Sequence, residues 1–217
     1  MNILIVSATS LEIAPFLKEI KVETDGAIIS SHAYNNHNID ILFTGVGMAQ
    51  TAFYLGKYLN ENYDLAINAG ICGSFSRFIK LGDVVCINED YFADLGAEDD
   101  EKFLSVLELN LPGAYYVRNE NLYKNDFIQE LKKARGVSVN TTHGNETSIK
   151  KLTARLQADV ESMEGAAFLW ACNQAKVRCV QVRSVSNYVE KRDKSKWEIG
   201  LAVKNLNDIL IKLLSQI

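Results

Sequence analysis

The chain has 217 residues, of which 47% are hydrophobic and 23% charged, and its net charge is -4 with a pI near 5.5. This length is typical of one compact domain over residues 1–217, with roughly 70% of the unfolded surface buried on folding. We expect no nucleic-acid partner, because an acidic chain without a long basic block does not attract phosphate backbones. The apolar run after Met1 is too short for a signal peptide or a membrane span, so we expect a cytoplasmic protein.

The cysteines and histidines show no pattern of chemical use. The cysteines lie in apolar or glycine-rich segments without a C-x-x-C pair, which is typical of buried thiols in a reducing compartment. They are Cys72, Cys86, Cys172 and Cys179. The histidines, His32, His37 and His143, lack the spacing of metal ligands. We therefore expect neither a metal nor a cofactor.

The first half of the chain alternates short apolar runs with helix-like spacing. Asn2–Ser7 is typical of a buried strand, and Leu11–Ile20 is typical of a helix with Pro15 in its first turns. The next predictions are strands at Ala27–Ala33 and Ile39–Phe43 joined as a hairpin around Asn35–Asn38, a helix at Met48–Asn60, and strands at Leu65–Asn68 and Asp83–Asn88 with a loop from Gly70 to Gly82 between them.

The second half begins with residues 90–118, whose weak periodicity we interpret as a long functional loop. The predictions that follow are a helix at Leu122–Ala134, a strand at Val137–Thr142, helices at Glu146–Gln157 and Met163–Gln174, a strand at Val177–Val185 and a helix from about Lys196 to Ser215. This alternation predicts the α/β class, as a single-domain three-layer sandwich around a mainly parallel, twisted, mixed sheet.

Polar or glycine-rich residues follow four of the predicted strands. Sheets of this class bind ligands at the carboxyl ends of their strands, so these residues are expected to converge. The segments are Ser7–Glu12, Thr44–Met48, Asn68–Ser74 and Ser186–Asn187.

Each candidate also has an ordinary structural interpretation. T-G-V-G-M at Thr44–Met48 lacks the spacing of a dinucleotide or P-loop motif, so its glycines indicate a tight turn or close approach to a small ligand. Glu12 on its own is typical of a solvated helix start, and Asn187 of a turn. Glu164 is different, because the apolar A-A-F-L-W-A-C follows it and a buried carboxylate needs partners. Two hydroxyls of a bound polyol would supply them.

The motifs resemble those of the purine nucleoside phosphorylase and nucleosidase superfamily, and within it the futalosine hydrolase branch. S-A-T-S-L-E-I, T-G-V-G, N-A-G-I-C-G-S and V-E-S-M-E-G-A-A are similar to superfamily segments over nearly the whole chain. F-A-D-L-G-A-E and S-N-Y-V-E-K-R-D-K-S-K-W are similar to the branch. One departure is Glu190-Lys191, where the branch has something nearer Gly-Pro. The resemblance implies a nucleoside phosphorylase-like fold and hydrolysis of the N-glycosidic bond of purine nucleosides with a bulky 5′ group.

The resemblance also implies roles for individual residues. Glu164 would hold the 2′- and 3′-hydroxyls near the developing sugar cation, Met163 would pack under the sugar, and Glu12 would deprotonate a water. Asn187 would meet N7 and the 6-position of the base. The two glycine loops and the last strand end would supply the other contacts with the nucleoside, from Thr44, Gly45, Gly70 and Ser186.

Asn187 is the residue expected to discriminate between nucleosides of 6-oxopurines and those of adenine. Adenine-specific members carry an Asp there, which donates to N7 and accepts from the 6-amino group. An amide cannot protonate the base, but it donates to N7 or O6, which favours a 6-oxopurine such as the hypoxanthine of futalosine. We therefore predict futalosine hydrolysis, a step of menaquinone biosynthesis. The alternative nucleosidase substrates are methylthioadenosine and adenosylhomocysteine.

Two other functions stay open. A purine nucleoside phosphorylase needs a phosphate site, but the first loop has no cation and Glu12 would repel an anion. A non-catalytic nucleoside-binding module has no need of both Glu12 and Glu164.

The last two predictions concern the pocket for the 5′ group and the oligomeric state. The pocket for futalosine should be apolar with a cation at its far end, and Phe92, Tyr91, Phe103 and Arg192 are candidates for it. The alternative is that these aromatics only close their segment onto the core. Members of the superfamily assemble, so we expect a homo-oligomer, a dimer or higher.

Overall fold

The computed structural model describes residues 1–23 and 26–217. Its elements, in chain order, are β1 Asn2–Ser7, α1 Ala14–Glu19, β2 Ile29–Tyr34, β3 His37–Phe43, α2 Met48–Tyr58, β4 Leu65–Ser74, β5 Val84–Phe92, β6 Gly96–Asp99, β7 Lys102–Ser105, β8 Tyr116–Arg118, α3 Asp126–Glu130, β9 Lys132–Ser138, α4 Glu146–Arg155, β10 Val160–Ser162, α5 Gly165–Ala175, β11 Cys179–Tyr188, a short 3-10 helix Lys194–Lys196, and α6 Ile199–Ser215.

The large sheet is mixed. Its strand order is β10-β9-β5-β11-β4-β1-β3-β2, with β8 added beside β5. β1, β3, β4 and β11 run parallel, whereas β5 is antiparallel to β11 and β2 to β3. The predicted hairpin between β2 and β3 is confirmed, and Asn35 and Asn36 turn it at positive φ.

Helices cover both faces of the sheet because β1 is buried on both sides. Ile3 and Ile5 belong to the core cluster that contains Leu206 and Leu210 of α6. Leu4 and Val6 belong to the opposite cluster, with residues of α2 and α5. The predicted α/β class is confirmed. The layered description is incomplete, however, because the short β10 pairs with both β9 and β4 and closes one end of the sheet on itself.

Three predicted segments differ from the structure. The helix expected at Leu122–Ala134 is only α3, since Lys132 and Lys133 pair with β5 and the sheet overrides their helical preference. The loops expected at 70–82 and 90–118 contain strand segments. β4 continues to Ser74 between β10 and β11, and residues 90–118 contain the end of β5 and strands β6, β7 and β8.

No helix in the described part of the chain is long and apolar enough to cross a membrane.

Candidate active site

Glu12 is held in a ring of donors just before α1. Its Oε2 accepts from the Thr9 N–H at 3.0 Å and lies 3.2 Å from the Ser7 hydroxyl. Its Oε1 accepts from the Ile71 N–H of β4 at 3.1 Å. Glu12 is only 9% exposed, so it is not the solvated helix-start carboxylate of the ordinary interpretation. Both oxygens are therefore oriented before any ligand arrives.

Glu164 stands at the N-terminus of the buried helix α5, as predicted, and is 5% exposed. Its Oε1 accepts from the Gly47 N–H at 3.1 Å, and Gly47 is the N-cap of α2. Burial raises the pKa of the Glu164 carboxyl, whereas Arg183 and the Gly47 N–H oppose that rise. Thr44 and Gly45 belong to the same turn, in which Gly45 and Gly47 adopt positive φ.

Arg183 of β11 connects the two carboxylates, and the sequence reasoning missed it. Its side chain is 1% exposed, and Nη1 lies 3.4 Å from Glu164 Oε2. A Cβ at Gly70 would lie 2.1 Å from Arg183 Nη1 and 3.0 Å from Glu12 Oε1, so both groups meet over this glycine. One signal was available: an arginine inside an apolar strand pattern requires a buried acidic partner.

A network of buried polar side chains holds the Arg183 guanidinium in place. Arg183 Nη2 donates to Asn68 at 2.5 Å, and its Nε donates to Gln181 Oε1 at 3.2 Å. The Gln181 amide in turn donates to Asp90 at 3.3 Å, and Ser138 Oγ donates to the other Asp90 oxygen at 3.1 Å. Burial raises the pKa of Asp90 to about 7, although the Arg183 charge lowers it.

The same network reaches the start of α5. Ser138 Oγ accepts from the Ala166 N–H at 2.8 Å, two residues after Glu164. A Cβ at Gly165 would lie 2.1 Å from Gln181 Oε1 and 2.2 Å from Asp90 Oδ2. The glycine of M-E-G therefore lets the helix approach these two side chains closely.

Asn187 lies further along the sheet, at the end of β11. Its Nδ2 donates to the Tyr188 carbonyl at 3.0 Å, and the Ser186 hydroxyl donates to its Oδ1 at 2.8 Å. These partners orient the amide so that its nitrogen lies 3.2 Å from the position of a Gly73 Cβ. Gly70 and Gly73 are separated by about 10 Å along β4. The strand thus has a carboxylate end and an amide end.

Of the predicted 5′-pocket residues, Tyr91 and Phe103 pack against one hydrophobic cluster, whereas Phe92 and Arg192 have other partners. Phe92 packs against the core cluster around Phe168, and Phe103 lies under the Arg155 guanidinium at 3.9 Å. Arg192 lies over the Trp197 ring at 4.7 Å and lines a cavity with Asn187. The reason is that residues 90–118 contain several strands and are not a free loop, which supports the alternative that the aromatics close onto the core.

Met163, the residue predicted to pack under the sugar, is half-buried beside Glu164.

The chain is similar in sequence to a known family and to several known proteins. The phosphorylase superfamily model matches residues 2–215. Futalosine hydrolase of Streptomyces coelicolor is 30% identical over 98% of this chain and 95% of the relative, and that of Thermus thermophilus is 29% identical with the same coverage. A 5′-methylthioadenosine/S-adenosylhomocysteine nucleosidase of Colwellia psychrerythraea is 24% identical, also over 98% of this chain and 95% of the relative.

Solved structures show the same fold. A futalosine hydrolase of Helicobacter pylori superposes with a TM-score of 0.78 at 19% identity, over 98% of each chain. The Colwellia psychrerythraea nucleosidase in complex with adenine gives 0.81 at 20% identity, over 100% of this chain and 95% of that one. The nucleoside phosphorylase-like fold expected from the motifs is therefore confirmed, and the chain belongs to the phosphorylase superfamily and, within it, to the futalosine hydrolase family.

Proposed function

We propose that this protein hydrolyses the N-glycosidic bond of futalosine, releasing hypoxanthine and dehypoxanthine futalosine in menaquinone biosynthesis. The observation that carries the proposal is Asn187. The Tyr188 carbonyl binds one of its two amide hydrogens, so the amide offers the other as an N–H donor near Gly73. An N–H donor suits N7 and O6 of a 6-oxopurine, both of which are acceptors, and does not suit a 6-amino group.

The carboxylates supply the chemistry at the sugar. As the bond between C1′ and N9 breaks, positive charge develops on the ribose and the electron pair leaves with the purine. Glu164 accepts from the 2′- and 3′-hydroxyls and stabilises that charge, while Met163 packs under the ring. Glu12 takes a proton from the water whose oxygen bonds to C1′, a general-base role worth about 10²–10⁴-fold. The departing hypoxanthine anion is stabilised by the Asn187 N–H and is protonated from solvent.

Water, and not phosphate, is the proposed nucleophile. Arg183 is a cation that the sequence argument did not consider, and it lies beside Glu12 over Gly70. Its guanidinium is already committed to Glu164, Asn68 and Gln181. The adjacent Glu12 carboxylate would repel an anion at the same place. The first loop therefore suits a neutral nucleophile.

The decisive experiment incubates the protein with futalosine, inosine and methylthioadenosine, each with and without phosphate, and measures base release. We expect hypoxanthine from futalosine without phosphate. The Asn187→Asp variant should gain activity on methylthioadenosine, because an Asp can donate to N7 and accept from the 6-amino group. Phosphate dependence, or adenine release by the unaltered protein alone, would exclude the proposal.

We also propose that the protein is a cytoplasmic homo-oligomer. Helices α2 and α5 pack against each other, and each carries an exposed aromatic side chain: Phe53 is 64% exposed and Trp170 is 42% exposed. Large apolar side chains grouped on one surface are typical of protein contacts. The free cysteines Cys72, Cys86, Cys172 and Cys179 are buried, in keeping with a reducing compartment.

A further inference from the structure

A small cavity lies beside Asn187, and the function proposed above uses only one of its walls. Its volume is about 100 Å³. Pockets for whole drug-sized ligands are about 300–1,000 Å³, so this cavity suits part of a nucleoside, such as its base. Asn187 and Gly73 line it on one side, and His143 and Glu161 on the other.

The sheet register explains this arrangement. Gly73 of β4 pairs with Asn187 of β11 on one side and with Glu161 of β10 on the other. Residues paired across neighbouring strands point to the same face of a sheet, and Gly73 has no side chain to fill the space between them. Asn187 and Glu161 therefore flank an open position, with about 10 Å between their backbones.

Glu161 does not face the cavity alone. It is 4% exposed, and its Oε1 accepts from the His143 N–H at 2.9 Å. Its Oε2 is hydrogen-bonded to Nδ1 of the His143 ring, whose side chain is 19% exposed. The carboxylate thus fixes both the backbone and the ring of His143. The other charged groups of the cavity are engaged: Glu190 with Arg77 at 2.5 Å, and Arg192 with the Trp197 ring.

The contact between Nδ1 and the carboxylate determines which ring nitrogen carries the hydrogen. A carboxylate only accepts, so Nδ1 must be the N–H. In the neutral ring Nε2 then has a free lone pair and acts as an acceptor. A 6-oxopurine has a hydrogen on N1, which an acceptor binds. A 6-aminopurine has a lone pair on N1, which an acceptor repels.

We propose that the Glu161–His143 pair is a specificity determinant for the base, in which His143 Nε2 accepts from N1–H of a 6-oxopurine while Asn187 donates to its N7 or O6. This inference rests on the proposed function for the substrate, and it adds His143 as a second side chain that recognises the same base. Two opposed contacts recognise the purine edge more strictly than one amide, because a 6-aminopurine leaves unpaired polar groups at both.

The test compares futalosine with aminodeoxyfutalosine, which share the 5′ group and differ in the base. In His143→Phe the kcat/KM for futalosine should fall by roughly 10- to 100-fold, while that for aminodeoxyfutalosine changes little. In Glu161→Gln the amide can donate to Nδ1, which frees the ring to carry its hydrogen on Nε2, so the preference should shift towards aminodeoxyfutalosine. His32→Phe, on β2, is the matched control and should leave the preference unchanged.

Binding of the free bases keeps this inference separate from the function. Calorimetry with hypoxanthine and adenine should show that the unaltered protein prefers hypoxanthine and that His143→Phe loses this preference while keeping its melting temperature. That result without futalosine cleavage would exclude the proposed function and support the role of the pair. Equal losses on both substrates, or an unchanged preference in both variants, would overturn the role. If His143→Phe does not fold, the near-isosteric Glu161→Gln decides alone.

Discussion

Buried ionisable side chains are concentrated under the candidate site. Arg183 and Asp90 are each 1% exposed, and Glu164 is 5% exposed. Burying charges is unfavourable unless they are paired, and here the Arg183 guanidinium serves Glu164 directly and Asp90 through Gln181. The two carboxylates share one cation, and burial raises the pKa of both Glu164 and the more deeply enclosed Asp90.

Asp90 should make the stability of the protein depend on pH. Its pKa is about 7 in the folded state and 3.8 when unperturbed, so the folded state holds a proton that the unfolded state releases. The favourable contribution of Asp90 is complete below pH 4 and is lost as pH rises to 7. Relative to Asp90→Asn, which cannot titrate, the unaltered protein should lose at most roughly 3 kcal/mol between pH 5 and pH 8. Urea unfolding of both proteins at the two pH values measures this difference.

The exposed Asp208→Asn is the control, because its partner is Lys204 on the surface of α6. Its unfolding free energy should run parallel to that of the unaltered protein over the same pH range. A parallel curve for Asp90→Asn as well would show that Asp90 is ionised in the folded state throughout.

Helix α5 shows how an element is placed by glycine and a polar network together. Its N-terminus carries Glu164 into the site, and its first residue, Gly165, lies against Gln181 and Asp90. The helix begins where it does because the Ala166 N–H is satisfied by Ser138 and no larger residue fits before it.

Gly165→Ala should therefore move the start of α5 and damage the site. The new methyl would lie 2.1 Å from Gln181 Oε1 in a packed interior, where overpacking is destabilising by about 1–3 kcal/mol. Gly56→Ala in α2 is the matched control, since nothing lies within 4 Å of its added Cβ and alanine favours a helix by about 0.5–1 kcal/mol. The melting temperature and the kcat/KM for futalosine should both fall in Gly165→Ala, and neither should fall in Gly56→Ala. Equal behaviour of the two variants would contradict the close packing.

At the scale of the whole molecule, the site is assembled by the partial closure of the sheet. Because β10 pairs with both β4 and β9, Glu161 is brought to Gly73 from a segment far away in the chain. The same closure brings Asn187 and His143 to one cavity. The base side of the site therefore depends on a three-residue strand, β10.

The exposed aromatic side chains of α2 and α5 are the basis for the proposed homo-oligomer. If α2 and α5 form the contact between copies, the double variant Phe53→Glu and Trp170→Glu should shift the protein towards the monomer, since like charges would meet in an apolar contact. Light scattering after size-exclusion chromatography measures the mass. Phe78→Glu, at a 90% exposed residue outside these helices, should leave the mass unchanged. A monomeric unaltered protein would contradict the expected oligomer.

The local sequence pattern was enough to predict the α/β class and to select Glu12 and Glu164 as candidate site residues. The strands at Asn2–Ser7 and Val177–Val185 and the amphipathic last helix are encoded by nearby residues, so their existence was predictable, although the second strand runs from Cys179 to Tyr188 in the structure. Glu12, Glu164 and Asn187 were identified because each follows a strand or begins a helix, positions at which side chains of an α/β sheet reach a ligand.

Only the tertiary structure shows which groups meet. Strand pairing placed the end of the expected helix at Leu122–Ala134 and parts of the expected loop at 90–118 in sheet, because ladder hydrogen bonds with distant strands outweigh weak local preferences. The contact of Arg183 with Glu164 and that of His143 with Glu161 join residues 19 and 18 positions apart. No periodic pattern encodes such contacts, since they depend on the register of strands that are remote in the chain.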